Sequence, residues 1–166
     1  MPFSRSVSAA SIWLAGEPPP EPMITVRASA HQPMHAIVGT QHPLAGQRQI
    51  TLQALTEWPI ALLQGVYGIR QLVEYAEQTD KIRLSPVLTS NLISVLLHFV
   101  CSGQGVSLLP KCAVATELAR GQLYAVAVDN SAFAHAEMQL ITRTGRQLSP
   151  AANRFLEFCL QGMSAF

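Results

Sequence analysis

The chain has 166 residues, of which 49% are hydrophobic and 13% charged, and its mean hydropathy is +0.24. Such a chain can bury a substantial core, which excludes the disordered class and leaves one domain or two small lobes. Eleven Lys and Arg against 10 Asp and Glu give a formal net charge of +1, which excludes the electrostatic footprint of a nucleic-acid-binding surface.

From the N-terminus, Met1 to Gly16 carries one early charge, Arg5, before the mostly apolar run Ala9 to Ala15. The run leads into the prolines Pro18, Pro19, Pro20 and Pro22 without a small-residue cleavage site, so it is a poor secretory signal. No stretch reaches the ~20 apolar residues of a membrane span. The alternation Ile24, Val26, Ala28 and the run Met34 to Val38 predict two strands, and His42, Pro43 and Gly46 mark a turn. A short helical piece over 52–58 ends before Pro59, because a proline disfavours helix in the preceding residue.

The stretch 59–64, PIALLQ, has the continuous apolar middle of a parallel strand covered on both faces. From Gly68, the residues Ile69, Leu72, Val73 and Ala76 form a helical stripe, with Arg70, Gln71, Glu74 and Glu77 expected to face outward. A strand over 84–88 follows, then a helix over 91–102 capped by Ser90 or Thr89. Its apolar residues cover most of its circumference and predict a nearly enclosed element. Gly103 suits a left-handed helix terminus, and a strand over 105–109 completes a βαβαβ unit. A short helix over 112–119, strands over 123–128 and 138–142, and a C-terminal helix begun by Ser149 and Pro150 finish an α/β chain. Ala152, Phe155, Leu156, Cys159 and Met163 share one face of that last helix.

In an open α/β sheet, ligands sit beyond the carboxyl ends of the strands, where helix N-termini present unpaired N–H groups. Two strand ends meet that description, delivering Gln64, Gly65, Val66, Tyr67 and Gly68 to one helix and Thr89, Ser90 and Asn91 to the next. One reading is a site for a small anionic or polar molecule; the other is plain helix capping, which uses the same residue types. Gly103 and Gly105 follow a helix and open a strand, the reverse of a dinucleotide loop. His31, His35 and His42 are spaced off any common helical face and are expected at the surface or in turns rather than on a metal. Cys101, Cys112 and Cys159 form no CxxC pair and are expected as buried thiols in a reducing compartment, the cytoplasm. Neither GxSxG, HExxH nor a phosphate loop occurs, and Glu17 and Glu21 sit among prolines, so no enzyme and no cofactor are expected. Arg143 and Arg146 are expected in an exposed turn.

Taken in serial order, GEPPPEP (16–22), HPLAG (42–46), WPIAL (58–62), GIRQL (68–72), TSNLISV (89–95), GQGVSLLP (103–110), ELARGQL (117–123) and LSPAANRFLEF (148–158) resemble the effector-binding domain of LysR-type transcriptional regulators. The resemblance implies a periplasmic-binding-protein-like (type II) fold of two lobes, with a small-molecule effector held between them. It implies a second lobe over 28–126 and a partial first lobe made of 1–27 and 127–166, with the opening strands and helices of that lobe and the DNA-binding helix-turn-helix absent. The second-lobe wall would be Gln64, Gly65, Tyr67, Gly68, Thr89, Ser90 and Asn91.

The implied partners are an effector and a second copy or a related regulator in a mixed dimer, with no membrane and no direct contact to nucleic acid. An incomplete first lobe is expected to expose Phe155, Leu156 and Cys159 and to favour self-association. A free-standing solute-binding protein and a dimerising fragment that modulates a full-length regulator remain alternatives.

Overall fold

A computed structural model describes residues 10–15, 24–65, 68–145 and 147–163. It divides into two compact units: one takes the described residues up to His31 together with those from Glu137 onward, and the other spans Gln32–Ala136.

The first unit is a three-stranded antiparallel sheet in which β9 (Glu137–Arg143) lies between β1 (Ala10–Ala15) and β2 (Ile24–His31). Helix α5 (Pro150–Met163) begins as its sequence predicts, with the Ser149 hydroxyl accepting the Ala152 N–H at 3.2 Å. Its buried side, Leu156 and Met163, packs on Leu140 of β9 with Ala28 and Ala30 of β2 around them. The expected common face is therefore split. Leu156 is buried and Cys159 half-buried, whereas Phe155 and Phe158 are 56% and 73% exposed.

The second unit is built on a six-stranded sheet of order β4-β8-β3-β7-β5-β6. Its strands are β3 (Met34–Gly39), β4 (Gln49–Thr51), β5 (Ile60–Leu63), β6 (Leu88–Ser90), β7 (Val106–Pro110) and β8 (Leu123–Asp129). Strand β5 is parallel to both β6 and β7, and β3 is antiparallel to β7 and β8. The chain runs from β5 outward to β6 through α1 (Gly68–Thr79), then back across β5 to β7 through α2 (Ile93–Cys101). Right-handed crossovers in opposite directions put α1 and α2 on opposite faces of the sheet. Ile37, Ala61 and Leu109 pack under Leu96 and Val100 of α2. Their alternating neighbours Ala36, Leu62 and Leu108 point the other way, where α1 and α4 (Ser131–Ala134) contact β5 and β3. Short α3 (Ala115–Ala119) follows a 3-10 turn over Lys111–Val114.

Several expectations are corrected. The strand expected over 84–88 is instead Leu88–Ser90, because the chain before it is anchored differently: the buried Glu77 carboxylate accepts the Leu84 N–H at 2.6 Å and pairs with Arg70 at 3.5 Å. Glu77 therefore faces inward, not outward. Helix α2 is not enclosed; it covers the sheet with one stripe and leaves Leu92 56% and Val95 36% exposed. His35 and His42 are buried: His35 is in the six-residue buried run of β3, and His42 lies 4.6 Å from Trp58 with its Nδ1 accepting the Leu44 N–H. Cys101 is exposed and Cys112 half-buried, so the three thiols do not form a buried set. Glu17, Glu21, Tyr67 and Arg146 lie outside the described residues.

The ends of α1 and α2 show what places the strands that follow. Gly103 has φ +74°, as its position predicts. At the end of α1 the same left-handed position is held by Lys81, φ 54°, with Ile82 N–H bonded to the Glu77 carbonyl and Lys81 N–H to that of Gln78. This 6→1 and 5→2 pair is a Schellman closure, here made without glycine.

Two outcomes are expected. A methyl group on Gly105 would stand 2.1 Å from the Pro59 carbonyl oxygen and 2.8 Å from the Phe99 ring. Gly105→Ala should therefore lower unfolding stability by about 2–3 kcal/mol, read from urea midpoints. Burial also lowers both His35 and His42 from the ordinary imidazole value of 6.5. Below that value the unfolded chain binds more protons than the folded one, so this stability is complete above 6.5 and is lost as the pH falls through the lowered folded values. The urea midpoint should fall between about pH 7.5 and about pH 5.5, and His42→Gln should flatten that dependence.

Candidate functional site

Because β6, β5 and β7 are parallel, their carboxyl ends emerge at one edge of the second unit's sheet. Of the residues singled out by sequence, Gln64, Gly65 and Gly68 lie at or beyond the end of β5, and Ser90 and Asn91 at the end of β6. The structure brings these two ends together: Leu63 is in register with Ser90, and the Gln64 N–H donates to the Ser90 carbonyl at 2.8 Å. Gly65 takes φ 104°, which turns the chain toward α1, and Gly68 is buried as the helix's first residue.

Thr89 differs from its neighbours. It lies inside β6, in register with Leu62, so the period-2 alternation of a strand turns it to the face opposite Leu88 and Ser90. Neither Thr89 nor Ser90 is the N-cap of α2; that position is Leu92, which has no side-chain cap. The Ser90 hydroxyl instead accepts the Leu92 N–H at 3.1 Å, tightening the turn that leads into the helix. Gln64, Gly65, Thr89 and Asn91 are exposed.

The helix after β5 and the 3-10 turn after β7 leave the sheet on opposite faces, since α1 contacts β5 on one side and Val114 joins the α2 cluster on the other. A crevice is expected between two such adjacent strand ends, where the order of strands reverses. That geometry adds Lys111, the exposed residue after β7, which sequence reasoning did not single out. It also adds His35. Antiparallel β3 starts at the same edge, with Met34 in register with Pro110 and His35 with Leu109. The His35 Nδ1 donates to the Pro33 carbonyl at 2.9 Å. Burial is the largest influence on this imidazole and lowers its pKa, the Pro33 bond opposes that, and the Lys111 charge lowers it further. His35 is thus neutral at pH 7, and Lys111 is the cation of this edge. At the same edge Asn130 caps α4, accepting the Ala132 and Phe133 N–H groups at 3.0 and 3.2 Å, and donates to Asp80 at 2.9 Å.

The ends of β5, β6 and β7 therefore combine the positive ends of α1 and α2 with the Lys111 charge, which favours an anion there, while the carboxylates of Asp80 and Asp129 lie at the β8 part of the same edge. Among the described residues no group of three or more His, Cys, Asp or Glu could hold a metal ion, and no helix is long and apolar enough to cross a membrane.

The sequence pattern of the LysR substrate binding domain matches residues 9–164. A RuBisCO operon transcriptional regulator from Allochromatium vinosum is 31% identical over 156 residues, covering 92% of this chain and 50% of the regulator. The HTH-type transcriptional activator CmpR of Synechocystis is 27% identical over 149 residues, 89% of this chain and 48% of CmpR. The chain thus spans about half the length of the curated relatives it matches. Among solved structures, the Synechocystis PCC6803 CcmR regulatory domain in complex with 2-PG superposes with a TM-score of 0.74 at 22% identity, covering 92% of this chain and 73% of that one. The effector-binding domain of QuiR in complex with shikimate gives 0.72 at 20% identity, covering 93% and 72%.

Ser90→Ala should cost about 1 kcal/mol of unfolding free energy, because it leaves the Leu92 N–H without its acceptor, whereas Ser90→Thr keeps the hydroxyl and should restore most of it. Urea midpoints of the two variants make the comparison.

Proposed function

The chain belongs to the LysR substrate binding domain family, and from that premise we propose that the sheet edge at Gln64, Gly65, Gly68, Thr89, Ser90, Asn91 and Lys111, together with Tyr67, is one wall of an effector site for a small anionic metabolite. The observation that carries this reading is the convergence of two helix starts and the exposed Lys111 on adjacent parallel strand ends. Backbone N–H groups at the starts of α1 and α2 would hold the anionic group, Lys111 would add charge, and Asn91 and Gln64 would read polar substituents. Tyr67 and Thr89 enter on the family resemblance alone. The CcmR domain bound to 2-PG and the QuiR domain bound to shikimate support a small polar ligand.

In this reading the Gln32–Ala136 unit, rather than 28–126, is the second lobe, β1, β2, β9 and α5 contribute to the first, and the site binds without turning anything over. The chain works in the cytoplasm and reaches DNA only through a regulator that carries a helix-turn-helix. Pairing of chains belongs to the same reading. Strand β6 is one of the two outer strands of its sheet, and Val87, 65% exposed, and Leu92, 56% exposed, flank it.

The test is an NMR titration of the chain with small carboxylates and phosphate esters, with 2-PG and shikimate among the probes. Saturable shifts at Gln64, Gly65, Gly68, Ser90, Asn91 and Lys111 are expected, and Lys111→Ala should weaken binding by about 10-fold through loss of a charge-assisted contact. Probes that shift only residues elsewhere, or none, would sink the assignment.

A further inference from the structure

A groove of about 580 Å³ lies between α1 and the chain that follows it, large enough for a small molecule. Arg70, Glu74 and Gln78 line it from the helix, and Lys81, Ile82, Arg83 and Pro86 from the following chain; none of the strand-end residues takes part. The groove is framed by Glu77. Its carbonyl accepts the Ile82 N–H at 2.9 Å and its carboxylate the Leu84 N–H at 2.6 Å, so Arg83 stands between two residues fixed to the same partner. The carboxylate also lies 3.5 Å from Arg70 Nη2, while Arg70 Nε donates to Glu74 at 2.9 Å. Both carboxylates of the groove are thus engaged by Arg70, whose Nη1 is still buried without an acceptor, although proteins normally match such donors. Asp80 is turned to Asn130 at 2.9 Å. Among the described residues no carboxylate pairs with Lys81 or Arg83, and both are exposed. Lys81 is moreover held at φ 54°, a conformation that a Cβ disfavours and glycine adopts freely. A cation kept against its backbone preference at the rim of a groove points to a role other than folding.

We propose that this groove binds a small phosphate monoester, with the phosphate between Lys81 and Arg83 and the apolar body of the ester against Ile82 and Pro86. Two unpaired cations match the charge of nearly −2 that a phosphate monoester carries at neutral pH. The half-buried Ile82 and Pro86 offer an apolar surface that a bare phosphate ion cannot use. The bonds to Glu77 fix the backbone on both sides of Arg83 before any ligand arrives, which lowers the entropy lost on binding. The groove shares no residue with the strand-end wall, and its fate does not depend on the effector reading.

An NMR titration of the chain with phenyl phosphate tests it. Saturable amide shifts are expected at Gln78, Lys81, Ile82 and Arg83. Arg83→Gln should weaken binding at least about 10-fold through loss of a charge-assisted contact. Lys81→Gly should weaken it by a similar factor and at the same time raise the urea midpoint, because glycine relieves the left-handed position; a lysine serving the fold alone would not show both effects. Inorganic phosphate should bind at least about 10-fold more weakly than phenyl phosphate. Lys111→Ala should leave the titration unchanged, which separates this groove from the strand-end wall. The proposal would be overturned by the absence of saturable shifts, by shifts confined to Gly65, Ser90 and Asn91, or by an affinity indifferent to both Arg83→Gln and Lys81→Gly. Equal binding of inorganic phosphate would reduce the groove to a general anion attraction, and equal binding of benzyl alcohol to an apolar patch; either result would also overturn it.

Discussion

The close approach of Pro59 and Gly105 is the constraint on which the second unit depends. The Pro59 carbonyl accepts the Val106 N–H at 2.9 Å, and a side chain at residue 105 would collide with that same oxygen. Glycine here is a matter of space, and it lets β7 lie close enough to β5 to begin a parallel ladder, Ile60 opposite Val106 and Ala61 opposite Ser107. The other side of β5 is tied by the Val87 N–H to the Ile60 carbonyl and by the Gln64 N–H to Ser90. With β5 held on both sides, the ends of three strands are brought level. The candidate site is a consequence of that alignment more than of any one side chain.

What could be read from the chain was what local chemistry dictates. Helix α5 starts at Pro150 because a serine hydroxyl and a proline together define a helix start, and α1 follows from one stripe of apolar residues. The elements not predicted are those held by partners far away in sequence. Three-residue β4 exists only through its pairing with β8, and four-residue α4 through the Asn130 cap, whose amide also reaches Asp80 fifty residues back. Glu77 fits a solvent-facing helix position by periodicity, yet its carboxylate satisfies the Leu84 N–H and is buried for that reason. His42 has turn residues on both sides, but its imidazole is sequestered against Trp58. A polar side chain's direction depends on the backbone group that needs it, and sequence alone does not disclose that group.

The same distinction runs through the site. The placement of Gln64, Gly65, Ser90 and Asn91 at strand ends was legible because strand ends followed by helix starts have a local signature. Thr89 was assigned to the loop because the strand was expected earlier, and a shift of a few residues changes which side chains share a face. Lys111 and His35 had no local signature at all. They meet through the antiparallel register of β3 with β7, a pairing across more than seventy residues.

That pair also sets the charge of the proposed site. Burial keeps the His35 ring neutral, the Lys111 charge reinforces this, and the bond to Pro33 requires the proton on Nδ1. The ring therefore adds no second cation beside Lys111, and its remaining nitrogen is an acceptor. Two cations side by side would select for charge and little else. Lys111 with two helix starts and the polar groups between them leaves room for hydroxyl and amide contacts to decide between anions of equal charge. In the proposed effector reading, such an edge would tell one small polar metabolite from another rather than hold any anion.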